Sequence, residues 1–141
     1  MDQSPKKLVL KPFKGLGDVR FGMSLRQAQR LLGITESKVT NKYLKQKSVF
    51  GNNIQYDFIE DSLYMIDAQY QEGIYLGDMD IFAAEDVDAL LKGHETKSHK
   101  DAIHVKTLGL VLFKFRLKDR KKRYIWIYSN KKDFEDVLEI V

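Results

Sequence analysis

Ile54, Tyr56 and Phe58 alternate with Gln55 and Asp57, a period of two that predicts a half-buried strand. A tight polar turn at Glu60 and Asp61 follows, and residues 63–70 read as the returning strand. The same period recurs later. Val111, Phe113 and Phe115 alternate within a strand predicted over residues 108–117, residues 118–123 form a polar turn, and residues 124–128 return. Isoleucine, tyrosine, phenylalanine and tryptophan at these positions suit a pleated surface. Elsewhere the period lengthens. Leu25, Ala28 and Leu32 are spaced i, i+3, i+7 and predict a helix, with Ser24 and Gln27 as a capping box and Gly33 as its left-handed stop. Ala84, Val87 and Leu91 repeat that spacing in a second predicted helix, which begins with Glu85 and Asp86 and ends with Lys92 and Gly93. Val39, Tyr43 and Val49 lie in polar sequence that neither period assigns. Residues 133–141, with Phe134, Val137, Leu138 and Val141, fit a helical turn or a strand, and residues 1–7 read as a loose polar end.

Two stretches align with each other. Leu16, Gly17, Asp18 and Val19 lead through Phe21 into the first helix; sixty residues on, Leu76, Gly77, Asp78 and Met79 lead through Ile81 into the second, with one residue dropped between tetrapeptide and helix. Each copy continues into strands. The expectation is one α+β domain over residues 1–141, with repeat one at about residues 8–72 and repeat two at about residues 73–141. Each repeat is a strand, a helix and a two- or three-stranded antiparallel meander, and the two form one mainly antiparallel sheet with helices on one face.

The chain has 141 residues and no cysteine. That length supports a core without disulfide staples, and thiol chemistry is excluded. Residues 1–7 carry charge but no apolar run of signal-peptide length behind them, and the longest apolar stretches fall far short of a bilayer of roughly 30 Å. A cytoplasmic setting without a membrane span is the expectation.

Charge changes the picture more. The formal net charge is +4, yet no Lys or Arg stands between Lys47 and Lys92, where ten acids lie. The remaining ten acids share the rest of the chain with all 24 basic residues. An acidic middle therefore sits between basic ends.

Candidate catalytic groups are sparse. His94, His99 and His104 are spaced by five, which is not one helix face, and they lack the cysteine partners of common zinc sites; they read as solvated histidines of a loop entering a strand. Ser98, His99 and Asp101 have the residue types of a triad, but triads are assembled in space rather than from adjacent positions. Gly15 and Gly17 supply only part of a phosphate-binding glycine pattern. No enzymatic activity, metal or cofactor is expected.

Two patches suit binding. The acidic one offers Asp57, Asp67, Glu72, Tyr75, Asp78, Asp80, Glu85, Asp86 and Asp88, interleaved with Tyr64, Tyr70 and Met79. Such a surface complements a basic protein, a nuclease above all, and steers its association. The basic patch is the run Lys118, Arg120, Lys121, Lys122 and Arg123 at a predicted hairpin tip, joined by Lys42, Lys45 and Lys47. With the aromatic strands it would suit nucleic acid, the alternative reading.

The segment from Gly15 through Phe21, Gly22, Met23 and Ser24 to Leu31, Leu32 and Gly33 resembles a class of small bacterial immunity proteins that partner secreted polymorphic toxins, including those of contact-dependent inhibition. The stretches at residues 76–82 and 108–115 look like the second half of the same pattern, and together they cover most of the chain. The helix junction is also similar to that of tandem-repeat folds of the β-lactamase-inhibitor and BamE type. The resemblance implies a cytosolic inhibitor that binds the C-terminal domain of a cognate toxin at its active site or an exosite. It carries over no binding residues, because immunity surfaces differ with each toxin; the second copy also lacks an equivalent of Gly22.

Overall fold

The computed structural model describes residues 7–129. The expectations for residues 1–6 and 133–141 fall outside them. Along the chain run β1 (Leu8–Lys11), β2 (Gly15–Leu16), β3 (Val19–Arg20), α1 (Leu25–Leu32), β4 (Lys38–Asn41), β5 (Gln46–Gly51), β6 (Ile54–Ile59) and β7 (Ser62–Gln69). There follow β8 (Ile74–Leu76), β9 (Met79–Asp80), α2 (Val87–Leu90), β10 (Lys97–His99), β11 (Ala102–Val105), β12 (Leu110–Phe113) and β13 (Tyr124–Tyr128). A single 3-10 turn, Arg120–Lys122, precedes β13.

The α+β class and the dominance of antiparallel pairing hold, but the strands form two sheets rather than one. Eight strands lie in the order β10-β11-β12-β13-β7-β6-β5-β4, every pair antiparallel. Five short strands form a second sheet in the order β3-β2-β1-β8-β9, where β1 runs parallel to β8. The second sheet exists because β1, which the sequence reading did not assign, pairs with β2 on one side and β8 on the other. Each meander has four strands, since β4 and β5 take up the polar stretch that periodicity left open.

Local chemistry explains the elements that match. Helix α1 has its capping box: Gln27 N donates to Ser24 Oγ at 3.2 Å and Ser24 N to Gln27 Oε1 at 3.0 Å, while Gly33 closes the helix at φ 68°. Asp61, from the turn between β6 and β7, accepts a further bond from Leu25 N at 3.1 Å. In that turn Glu60 and Asp61 both have positive φ, as do Asn52 and Asn53 between β5 and β6. Two consecutive left-handed residues match the twist of paired strands.

The second helix is shorter than predicted. It begins only at Val87, because Asp86 is the N-cap and accepts from Asp88 N at 3.0 Å. The carbonyl of Ala84, which a longer helix would use internally, instead accepts from Arg123 at 2.8 Å. The strand expected over residues 108–117 likewise stops at Phe113, where Lys114 turns left-handed at φ 62° and its N–H donates to Asp101 O at 2.9 Å.

The main core joins the large sheet to the second sheet and both helices. Leu110, Leu112, Ile125, Ile127 and Ile66 meet Ala28, Val87, Leu16 and Phe82 in one buried cluster. Alternation puts Val111 and Phe113 on the other face of β12, in a smaller cluster with Ala102 and Tyr128. With both faces buried, β12 reads as a continuous apolar run.

Gly15 marks the tightest backbone approach. A Cβ there would lie 2.0 Å from Val19 O, whereas one on Gly33 would meet nothing within 4 Å. Gly15→Ala is expected to lower the unfolding free energy by about 3 kcal/mol or more. Gly33→Ala should cost about 1 kcal/mol, from left-handed backbone strain alone. Urea denaturation of both variants checks this, and equal losses would contradict it.

Candidate functional site

The structure divides the predicted acidic residues among three settings. Asp57 and Asp67 lie on β6 and β7, on the face of the large sheet opposite the main core. Asp57 is buried, at 5% exposure, so it is not surface charge as expected. A relay of hydrogen bonds ends on it: Tyr64 Oη donates to Gln46 Oε1, Gln46 Nε2 donates to Thr40 Oγ1 at 2.8 Å, and Thr40 and Ser48 share a 2.7 Å bond. Ser48 gives its single proton to Asp57 Oδ1 at 2.5 Å, so Thr40 must be the donor to Ser48. Gln55 Nε2 adds a bond to Asp57 at 2.8 Å. Four strands are thereby tied across one face.

Asp67 lies half-buried on the same face. Burial above all, and then the charge of Asp57, push its carboxyl up to about 6, against hydrogen bonds from Trp126 and Gln69 that favour the ionised form. It lines a recess of about 440 Å³ with Phe50, Asn52, Asn53, Gln55 and Gln69. A larger cleft of about 630 Å³ runs between the small sheet and α1; Leu16, Leu31, Ile34 and Tyr56 line it, with Lys7, Asp18 and Glu72 among its polar residues. The lining of neither recess includes Ser, Thr, Cys or His.

The third setting is the β8, β9 and α2 region, where the remaining acids gather. Asp78 is exposed in the turn after Gly77, beside Met79, which is 42% exposed. Asp80 accepts from Gly73 N at 2.9 Å and Ala83 N at 3.3 Å, and Asp86 caps α2. Asp88 pairs with Arg116 at 3.0 Å, and Glu85 lies 3.9 Å from Arg120. Glu72 is exposed, and Tyr75 carries Lys7 Nζ over its ring at 5.1 Å.

The basic run is divided in the same way. Arg123 is buried, a correction to its expected place at a solvated tip. Its guanidinium donates to Phe82 O at 3.0 Å, Ala84 O at 2.8 Å and Phe115 O at 3.1 Å, and it stacks over the Phe115 ring at 4.8 Å. Lys118, Lys121 and Lys122 are exposed. With Arg116 and Arg120 beside acids of the α2 segment, the acidic and basic patches adjoin.

His99 is exposed on β10 and His94 shares a 3.1 Å bond with Thr107 Oγ1. His104 departs from the expectation of a solvated loop. It lies on β11, with Nε2 2.7 Å from Tyr128 Oη, and burial, aided by Lys106 and Lys97, lowers its pKa to about 4. No group of three or more His, Cys, Asp or Glu among the described residues could hold a metal ion. No helix among them is long and apolar enough to cross a membrane.

The sequence reading missed the relay through Thr40, Gln46, Ser48 and Tyr64. Its one legible trace is that Gln55 and Asp57 share the polar side of β6, a side that alternation assigned to solvent. Compared with family models, curated proteins and solved structures, the chain matches none.

Two outcomes follow from these contacts. Folded Asp67 holds its proton more tightly than an ordinary aspartate near 3.8, so its stabilising share is full below about pH 4 and is lost as pH rises through about 6. Asp67→Asn should therefore melt progressively higher than the parent between pH 4 and pH 7, and a thermal-melt difference that stays flat would contradict this. Arg123→Met should cost about 3 kcal/mol or more, since it strands buried carbonyls, whereas exposed Lys121→Met should stay within about 0.5 kcal/mol. Chemical denaturation separates the two.

Proposed function

We propose that the chain is an immunity-type protein that binds and neutralises a cognate bacterial toxin domain, a nuclease on grounds of charge, by occluding its active site or an exosite. The observation that carries this reading is the arrangement around Met79. Met79, an exposed apolar side chain, is flanked in the chain by Asp78 and Asp80, and over the segment from β9 to α2 three carboxylates are held by internal bonds: Asp80 by two backbone amides, Asp86 by the start of α2, and Asp88 by Arg116. A preset rim loses little conformational entropy on binding, and an apolar anchor within a charged rim is the usual anatomy of a protein interface. Glu72, Asp78, Glu85 and Asp88 are exposed carboxylates that can steer a basic partner, Glu85 and Asp88 in part offset by Arg120 and Arg116.

The reading extends to architecture and setting. Two related halves, each with a Leu-Gly-Asp turn, a helix and a meander, would account for Gly17 and Gly77 sharing a φ of 60°. They would also explain why the pairs Leu16 with Val19 and Leu76 with Met79 occupy matching places. Both helices contribute to the main core, as helices on one face of the large sheet would. Cytoplasmic residence follows from the role. Nucleic acid remains the alternative, reduced at the basic run to Lys118, Lys121 and Lys122, because Arg123 is internal and Arg116 and Arg120 face acids.

The test spares Asp80 and Asp86, whose loss would disturb the turns they hold. A chain carrying Glu72→Gln, Asp78→Asn, Glu85→Gln and Asp88→Asn should keep its melting temperature within a few degrees. Its association with the toxin domain recovered from the native host should slow about tenfold or more at low salt. Unchanged association kinetics, measured by surface plasmon resonance, would remove the acidic rim from the interface. Recovery of nucleic acid in place of one stoichiometric protein would favour the alternative.

A further inference from the structure

The hairpin of β4 and β5, at one edge of the large sheet, has a surface unlike the acidic rim. Its tip, residues 42–45, holds Tyr43 at 100% exposure and Leu44 at 52%, and Val39 on β4 is 59% exposed. Lys38, Lys42, Lys45 and Lys47 belong to the same hairpin, and residues 38–56 contain no acid. The tip is ordered by its own bonds: Leu44 N donates to Asn41 Oδ1 at 3.1 Å, Lys45 N to Lys42 O at 3.3 Å, and Lys45 adopts a φ of 53°. Its base is clamped through Gln46, Thr40 and Ser48 by the relay that ends on Asp57. Exposed apolar side chains scattered singly call for no explanation. Three within six residues, two of them on a turn whose backbone is held by its own bonds and all within a segment of lysines without acids, mark this hairpin out.

We propose that this hairpin tip is a docking site for an acidic, apolar peptide segment, whose apolar side chains pack on Tyr43 and Leu44 while its carboxylates meet the lysines. The occupant is chosen by charge and side-chain chemistry. A second copy of the same hairpin would bring eight lysines together, which disfavours self-association. Single-stranded nucleic acid matches the lysines, but it stacks successive bases on several rings, and the tip offers one, Tyr43, beside aliphatic Leu44 and Val39. The extra residue at Thr40 interrupts the register of β4 between Val39 and Asn41. Recognition therefore rests on side chains rather than on a strand added to the edge. Tyr43, with few rotatable bonds, supplies the anchor that becomes buried on binding, and the lysines supply orientation. This surface stands apart from the acidic rim and does not depend on the toxin reading.

The experiment displays a random library of short peptides against the immobilised full chain, with elution by salt. The expected winners alternate Asp or Glu with Leu, Ile or aromatic residues. Their affinity should fall about thirtyfold for the Tyr43→Ser, Leu44→Ser chain, as for loss of a hot-spot residue. Lys42→Glu, Lys45→Glu should abolish binding of the same peptides. All four positions are exposed, so both chains should melt as the parent does, and the chain altered at Glu72, Asp78, Glu85 and Asp88 should bind the peptides normally. Three results would each overturn the proposal. They are winners without acidic character, winners that bind the Tyr43 and Leu44 variant equally, and tighter binding of a single-stranded oligonucleotide that is lost in the same variant.

Discussion

The pairing of β7 with β13 is the constraint on which the large sheet depends. It brings residues 65–69 against residues 124–128 and joins two four-stranded meanders edge to edge, from Gln69 opposite Tyr124 to Met65 opposite Tyr128. On one face of this seam Ile66, Ala68, Ile125 and Ile127 are fully buried in the main core. On the other, Asp67 stands opposite Trp126, where the polar relay of β4 to β7 meets the aromatic cluster of β11 to β13. Without the seam each meander would present an open apolar edge.

Arg123 plays a comparable part at the start of β13. Held by three carbonyls, it fastens the β12 to β13 connection to the segment before α2 and sets where that helix can begin. The same packing brings Arg116 to Asp88 and Arg120 to Glu85, so residues that are distant in sequence and opposite in charge share one surface. A long-range charge pattern has become a set of local pairs. Glu72 and Asp78, with exposed Met79, and the lysines of the β4 to β5 tip lie outside these pairs, and they belong to different elements of the fold.

Much of the architecture was legible in the periods of the chain. The capping box of α1 and the β6 to β7 hairpin about Glu60 and Asp61 rest on contacts between near neighbours, which local spacing records, and the strand of Tyr124, Trp126 and Tyr128 shows in its alternation although its partner β7 is distant. The strand stops at Phe113 and α2 starts late because Lys114 and Ala84 answer to Asp101 and Arg123, partners that no local window contains. The burial of Asp57 escapes local pattern for the same reason: alternation says which side of a strand is polar but not whether that side meets water.

The amino-acid sequence by itself determined the elements whose cause is local, namely the helix cap, the left-handed turns, the strand periodicity and the absence of thiol chemistry. Only the tertiary structure decided that β1 would bridge two hairpins into a second sheet, that Asp57 and Arg123 would be internal, and that Tyr43 would be fully exposed. Burial is a property of the whole packed chain. A charge that is free in one register becomes a structural bond in another, and the choice between them is made by contacts far away in sequence.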